Sequence, residues 1–156
     1  MLYISYGSNM NIEQMSRRCP HTKVVGNGKL YGWKLVFNCH ADIIQTGNKD
    51  DVVPVVVWEL NHKTDMQNLD RYEGYPLYYT KKTIPVTMDY SGKEEKAMVY
   101  VMNKNRKGIY PPDAYYFNII RQGYIANGID VKPLYAAAEY SIDNDNITRY
   151  NQYNAR

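Results

Sequence analysis

The sequence predicts a single domain that combines several short β-strands with several α-helices. Apolar residues run or alternate in segments typical of strands, and helix start and stop signals lie between these segments. A length of 156 residues is sufficient to bury one core. The apolar fraction of 44% and the charged fraction of 22% are ordinary for a globular protein.

Composition also narrows the classes of function. A net charge of +3, with scattered Lys and Arg, argues against nucleic acid as a partner. Cys19 and Cys39 are expected to be reduced thiols in a cytoplasmic protein. His21, His40 and His62 lack metal-ligand spacing, so no metal ion is expected. Neither a leader peptide nor a transmembrane run is recognisable, so no membrane association is expected.

The strand predictions come from apolar patterning. Extended chain is predicted over Leu2–Tyr6, Thr22–Asn38, Val52–Leu60, Tyr79–Tyr90 and Lys96–Met102. Gly26, Gly28 and Gly32 are expected to break the second segment into short strands or bulges, as a barrel corner requires. Pro54 places the start of the third segment at a sheet edge or a bulge. Residues Ala41 to Asp51 are predicted to form a polar loop.

The helix predictions come from capping signals. The first predicted helix is capped by Asn11 and ended by Pro20. The second runs from the capping box Thr64–Gln67 to Glu73-Gly74. The third runs from Pro111-Pro112-Asp113 to Asn127-Gly128, and the fourth covers Leu134 to Glu139. Residues 141–156 are polar and are predicted to be a loosely held C-terminal tail, which leaves 1–140 as the domain.

The first candidate site is the segment Tyr6-Gly7-Ser8-Asn9, where the opening strand gives way to a helix. Such a junction leaves backbone N–H groups without partners near the positive end of a helix dipole, and these groups suit a carboxylate or a developing oxyanion. Gly7 has no Cβ to keep a ligand away from the backbone. Taken by itself, the segment is more often an ordinary strand-to-helix turn.

The second candidate is Glu73, the last residue of the second predicted helix. A carboxylate is disfavoured at the negative end of a helix dipole. Burial would add to this effect and raise its pKa towards neutrality, where it could act as a general base. The alternative is an exposed glutamate that precedes a C-cap glycine.

Several motifs that include both candidates occur in a fixed order along the chain. They are Tyr6-Gly7-Ser8-Asn9, Val55-Val56-Val57-Trp58, Leu69-Asp70 with Glu73-Gly74, the strand from Tyr79, Tyr100-Val101-Met102, Pro112-Asp113 through Tyr116 to Gly123, and Asn127-Gly128-Ile129. With this set of motifs, the chain resembles the γ-glutamylcyclotransferase and AIG2-like family over nearly its whole length.

The resemblance implies an α+β fold, a small closed mixed β-barrel with surrounding helices. It implies cleavage of a γ-glutamyl amine or γ-glutamyl amino acid, in which the substrate α-amine attacks its own γ-carbonyl and releases 5-oxoproline and a free amine. Glu73 matches the general acid/base of the family. The residues that match its substrate-binding positions are Tyr6, Gly7, Ser8, Asn9, Tyr79 and Tyr116. No metal or other cofactor is needed for this chemistry.

Some choices stay open at this level. Tyr79 is preferred over its neighbour Tyr78, and Tyr116 over Tyr115, because only one of each pair can face a pocket. The outer wall of the pocket is expected to come from loops 41–51 and 103–110. The leaving amine is not readable from the sequence, and a monomer or a homodimer is expected. A non-catalytic small-ligand binding module is the alternative function, and hydrolysis with Glu73 activating water is a weaker one.

Overall fold

The computed structural model describes residues 1–145 of the chain. These residues form seven strands: β1 (Leu2–Ser5), β2 (Lys23–Tyr31), β3 (Trp33–Asn38), β4 (His40–Gln45), β5 (Val52–Glu59), β6 (Tyr79–Met88) and β7 (Glu94–Met102). They also form four α-helices: α1 (Ile12–Arg18), α2 (Lys63–Glu73), α3 (Ala114–Ala126) and α4 (Lys132–Asp143). Among these residues, no helix is both long and apolar enough to span a membrane.

Five of the strands close into a barrel in the order β1-β5-β2-β6-β7. Neighbouring strands along this order are antiparallel. The barrel closes between its first and last strands by a short parallel pairing, Tyr3 with Met98 and Ile4 with Val99. The predicted α+β fold with a closed mixed barrel is therefore confirmed. Strands β3 and β4 form a separate two-stranded sheet.

The prediction that glycines break the second extended segment into short strands or bulges is confirmed at Gly26 and Gly32 and wrong at Gly28. Strand β2 has a bulge between Val24 and Gly26 and continues through Gly28. A Cβ on Gly28 would lie 2.8 Å from Val86 Cγ2, so this glycine allows two strands to approach closely. Only Gly32, with a φ of 82°, ends the strand.

The predicted polar loop over residues 41–51 is wrong in its first half. Residues His40–Gln45 form β4, which pairs with β3, and Ala41, Asp42 and Ile43 are buried. The strand was not predicted because an aspartate at position 42 suggests an exposed residue. Its carboxylate accepts hydrogen bonds from Met102 N (2.9 Å) and Lys107 Nζ (2.7 Å), and these partners make its burial possible.

The capping predictions are partly confirmed. The Asn11 side chain accepts a hydrogen bond from Gln14 N (3.1 Å) at the start of α1. Gly74 ends α2 in the left-handed conformation, with a φ of 67°. The capping box at Thr64 does not form, because α2 begins one residue earlier and the residue that precedes it, His62, makes no side-chain cap.

The predicted start of the C-terminal tail is too early. Helix α4 extends to Asp143, and Ser141 is fully buried with its hydroxyl donating to Ala138 O (2.5 Å). Residues 146–156 of the predicted tail lie outside the described residues.

Pro54 occupies the edge position expected of it, since β1 pairs only with the second half of β5. Cys19 and Cys39 are free thiols, as expected.

Candidate active site

A cavity of about 380 Å³ opens beside the end of β1 and is lined by residues from several elements. The turn after β1, the C-terminal end of α2, the first residues of β4 and β6, and α3 all contribute to its walls. The cavity brings together all the residues that the sequence pointed to, namely Tyr6, Gly7, Ser8, Asn9, Glu73, Tyr79 and Tyr116. The two candidate segments of the sequence therefore belong to one site.

The turn after β1 presents backbone donors to this cavity. Its 3₁₀ hydrogen bonds start only at Met10 N, which donates to Gly7 O (3.0 Å), and at Asn11 N, which donates to Ser8 O (3.0 Å). The N–H groups of Ser8 and Asn9 donate to no acceptor within residues 1–145. Buried N–H groups without partners are uncommon, so a bound anion or oxyanion would complete this turn.

The backbone of Gly7 lies close to the opposite wall of the cavity. A Cβ at this position would lie 3.1 Å from Ala41 Cβ and 3.4 Å from the Tyr116 hydroxyl. A side chain would therefore crowd Ala41 and fill the space beside the N–H donors.

Glu73 is the last residue of α2, and its side chain is largely withdrawn from solvent. Its Oε1 accepts a hydrogen bond from Asn9 Nδ2 at 3.0 Å. Burial raises the pKa of Glu73 to about 7, while the charge of Arg18 acts in the opposite direction. A carboxyl group whose pKa lies near neutrality is suited to accept a proton and then return it at neutral pH.

The side chain of Asn9 makes its hydrogen bonds within the protein. Its Nδ2 donates to Glu73 and also to the Tyr3 hydroxyl (2.9 Å). Its Oδ1 accepts from Arg18 Nη1 (2.7 Å). Both amide hydrogens are thus used within the protein, so the Asn9 side chain orients the Glu73 carboxylate, and only its backbone N–H is left for a ligand.

Arg18 is one of the residues of this site that the sequence did not indicate. Its guanidinium lies 3.5 Å from the centroid of the Tyr72 ring, and its Nη2 donates to Gln14 Oε1 (2.6 Å). The Tyr72 hydroxyl in turn bonds to Ser8 Oγ (2.7 Å). The i,i+4 spacing of Gln14 and Arg18 was visible in the sequence, but the contact with Asn9 depends on how the turn folds back over α1.

The hydroxyls of Tyr79 and Tyr116 bond to the two backbone polar groups of one residue, Ala41. Tyr79 donates to Ala41 O (2.8 Å), and Tyr116 accepts from Ala41 N (3.0 Å). Tyr116 can therefore still donate its hydroxyl proton to a ligand, whereas Tyr79 can only accept. A ligand can therefore accept a hydrogen bond from Tyr116 and donate one to Tyr79.

The structure also distinguishes the neighbouring tyrosines. Tyr115 is 78% exposed and lies away from the cavity, so Tyr116 is the member of its pair that lines it. Tyr78 is 49% exposed, yet it lines the cavity together with the buried Tyr79. The expectation that only one of these two could do so is wrong, because Tyr78 precedes β6 and is not bound by strand alternation.

The hydroxyl of Tyr6 is also used within the barrel. It donates to Tyr100 O (2.7 Å), and the Tyr100 hydroxyl donates to the carboxylate of Asp70. Lys81 completes this group with an ion pair to Asp70 (2.8 Å). Tyr6 therefore contributes its ring to the cavity wall, and its hydroxyl ties the start of the site to β7.

The outer wall differs in part from prediction. His40 and Ala41 at the start of β4 line the cavity, and Arg71 and Tyr72 of α2 lie opposite them. Residues 103–110 do not line it; four residues of this segment border a separate groove on the other side of β4. The segment is drawn away because the backbone of Tyr110 bonds to Phe37 and Cys39 of the β3–β4 hairpin.

Comparison with known proteins assigns the chain to a class. Residues 3–117 match the family model described as gamma-glutamyl cyclotransferase, AIG2-like. The chain belongs to this family. A human protein named gamma-glutamylcyclotransferase is 29% identical over 143 residues, which cover 84% of this chain and 73% of the human one.

Solved structures agree with this assignment. A structure named gamma-glutamyl cyclotransferase aligns with a TM-score of 0.74 and 27% identity, covering 87% of this chain and 85% of the other. YkqA from Bacillus subtilis aligns with a TM-score of 0.72 over 90% of this chain and 54% of its own, and at 18% identity it shows a shared fold. The family and the fold that the motifs suggested are thereby confirmed.

Proposed function

We propose that the protein is a γ-glutamylcyclotransferase that releases 5-oxoproline and a free amine from a γ-glutamyl amine or γ-glutamyl amino acid. The observation that carries this proposal is the position of Glu73. A carboxyl group with a pKa of about 7 shares one cavity with the unpartnered N–H groups of Ser8 and Asn9. A proton acceptor and an anion-binding turn are the two devices that this cyclisation needs.

The reaction is intramolecular. The α-amine nitrogen of the substrate forms a bond to its own γ-carbonyl carbon, and the bond from that carbon to the leaving nitrogen then breaks. In this reaction the α-nitrogen goes from three hydrogens to one, and the leaving nitrogen goes from one hydrogen to three. Glu73 takes the two protons in turn from the α-nitrogen and passes each to the leaving nitrogen, so the carboxylate ends in its starting state. No water is consumed, and the main work of the site is to fold the glutamyl chain so that its two ends meet.

The polar groups of the cavity can orient the glutamyl group. The N–H groups of Ser8 and Asn9 and the hydroxyl of Tyr116 donate, and they suit the α-carboxylate or the oxyanion of the tetrahedral intermediate. Tyr79 has only acceptor capacity left, so it suits the substrate ammonium or the amide N–H. The α-amine then lies on the side of the cavity that holds Glu73.

The proposal is tested by incubating the full chain with a panel of γ-glutamyl amides and measuring free 5-oxoproline. Release of 5-oxoproline together with the free amine is the expected result. Saturable ligand binding with no product would identify a non-catalytic binding module of the same fold. Release of free glutamate would identify hydrolysis instead, since cyclisation gives no glutamate.

The pH dependence of the reaction follows from the pKa of Glu73. The carboxylate must be ionised to accept a proton, so kcat/KM is expected to rise as pH increases through about 7. Arg18→Met removes the charge that lowers this pKa, so the rising limb should move to higher pH. Arg17→Met is the control, because Arg17 is exposed and paired only with Glu13 (2.6 Å). A limb that stays in place in Arg18→Met would exclude this electrostatic role.

The two neighbouring tyrosines of α3 give a second test. Tyr116→Phe removes the one hydroxyl of this helix that lies beside Ala41 and can donate to the substrate, so kcat/KM should fall at least about tenfold. Tyr115→Phe removes an exposed hydroxyl and should leave kcat/KM within about twofold of wild type. Equal effects of the two substitutions would show that Tyr116 does not contact the substrate.

A further inference from the structure

A second cluster of polar side chains lies outside the candidate active site, where the segment after α1 meets the start of α2. It consists of His21, His62 and Asp65, whose potential ligand atoms all lie within 4.8 Å of one another. The two imidazole rings are stacked, with centroids 3.8 Å apart and planes 12° from parallel. The histidines are distant in the sequence, which is why their spacing gave no sign of this cluster.

Asp65 fixes the orientation of His21. The carboxylate is buried and accepts His21 N at 2.9 Å with one oxygen, while the other lies 3.1 Å from His21 Nδ1. An ionised carboxylate can only accept, so Nδ1 carries the hydrogen and the lone pair of His21 is on Nε2. Carboxylates orient metal-binding histidines in this same way.

We propose that His21 and His62 bind a divalent transition metal ion, with Zn²⁺ as the best-suited ion and Asp65 as the group that orients His21. Two imidazole nitrogens favour zinc, copper or nickel over calcium and magnesium, which prefer oxygen. Both rings are exposed and accessible to an ion from solution.

The neighbouring surface can complete the coordination. A shallow cavity of about 260 Å³ is lined by His21, Lys23, Glu59 and Asn61, which leaves room for water molecules as further ligands. Glu59 supplies a carboxylate in the same cavity, although it now accepts a hydrogen bond from Asn61 (2.7 Å). Lys23 opposes a cation, and its long flexible side chain can swing into solvent.

Binding requires one change in the cluster. The lone pair of an imidazole nitrogen lies in the plane of its ring. The two stacked rings have nearly parallel planes, so their lone pairs cannot converge on one ion. Zinc–nitrogen distances of about 2.0–2.1 Å in a tetrahedral site place ligand atoms roughly 3.4 Å apart. The His62 ring therefore has to rotate out of the stack, and its exposure makes this rotation possible. The ion would then link the segment after α1 to the N-terminal end of α2.

The experiment titrates untagged, chelator-treated full chain with ZnCl₂ in a calorimeter. One ion is expected to bind at this cluster, and His21→Ala and His62→Ala are each expected to weaken its binding at least about tenfold. His40→Ala is the matched control, since it removes the third histidine, which lies beside the exposed thiol of Cys39. Circular dichroism in EDTA establishes that the variants are folded.

Thermal unfolding provides an independent readout. Zn²⁺ should raise the unfolding midpoint of the wild type and not that of the His21→Ala/His62→Ala double variant, because an ion that binds only the folded chain stabilises it. CaCl₂ should have no such effect. Equal Zn²⁺ affinity of wild type and double variant, or loss of binding in His40→Ala alone, would overturn the proposal.

Discussion

Replacement of Glu73 by glutamine is expected to lower the rate of 5-oxoproline release by roughly 100- to 10,000-fold, the usual contribution of a positioned general acid or base. Glutamine keeps the length of the side chain and an oxygen that can accept the hydrogen bond from Asn9. It cannot take up the proton of the substrate ammonium. The measurement is kcat for 5-oxoproline release at pH 8, where the wild-type carboxylate is mostly ionised.

The stability of the same variant distinguishes a lost base from a damaged fold. The pKa of Glu73 is raised from 4.5 to about 7 in the folded protein, so folding favours its neutral form. The associated stability is present below about pH 4.5 and is lost as pH rises through about 7. At pH 8, Glu73→Gln should therefore have a free energy of unfolding up to about 3 kcal/mol above that of wild type, and a higher unfolding temperature. At pH 4 the two proteins should unfold at similar temperatures. Near-normal turnover in this variant would falsify the assignment of Glu73.

Substitution of Gly123 by alanine is expected to destabilise the protein by about 1–2 kcal/mol and to reduce its activity. An added Cβ would lie 2.8 Å from both Asn11 N and Met10 C, which are backbone atoms of the turn and its flank. Alanine favours a helix over glycine by about 1 kcal/mol, whereas overpacking typically costs about 1–3 kcal/mol, and a backbone clash lies at the upper end. The clash therefore outweighs the gain in helix propensity.

The helix cannot relieve this contact by a small shift. Asn127 Nδ2 donates to Met10 O (2.9 Å), and Asn11 Nδ2 donates to Ile119 O (3.1 Å). Helix α3 is thus fastened to the turn on both sides of Gly123. A loss of this size lowers the unfolding midpoint by roughly 2–8 °C in a domain of this length. Gln122→Ala, on the exposed face of the same helix, should change stability by less than about 0.5 kcal/mol. A Gly123→Ala protein more stable than wild type would contradict the packing described here.

The parts of the site that could be read from the sequence are those governed by local geometry. Asn11 caps α1 because its side chain reaches a backbone N–H three residues ahead. Gly74 ends α2 because a left-handed residue is needed there, and this in turn places Glu73 at the helix terminus. The closed barrel was predicted from the family resemblance that the order of the motifs indicates, since no single segment determines which strands become neighbours.

The parts that could not be read depend on contacts across the fold. Ala41 reaches the site on β4, a strand whose pattern is hidden by Asp42, and that residue is buried only because Met102 and Lys107 satisfy it. In the sequence Arg18 is one of two adjacent arginines at the end of α1, and only the folded structure shows its contact with Asn9. Long-range pairing decides these positions, and periodicity carries no information about it.

The parallel contact between β1 and β7 has a consequence for the order of assembly. The four residues of β1 pair with β5, which ends at Glu59, and with β7, which ends at Met102. The turn with the N–H donors of Ser8 and Asn9 follows β1 directly in the chain. During synthesis, β1 therefore cannot gain both of its neighbours until the chain has been made as far as β7, and the cavity then still needs Tyr116 of α3.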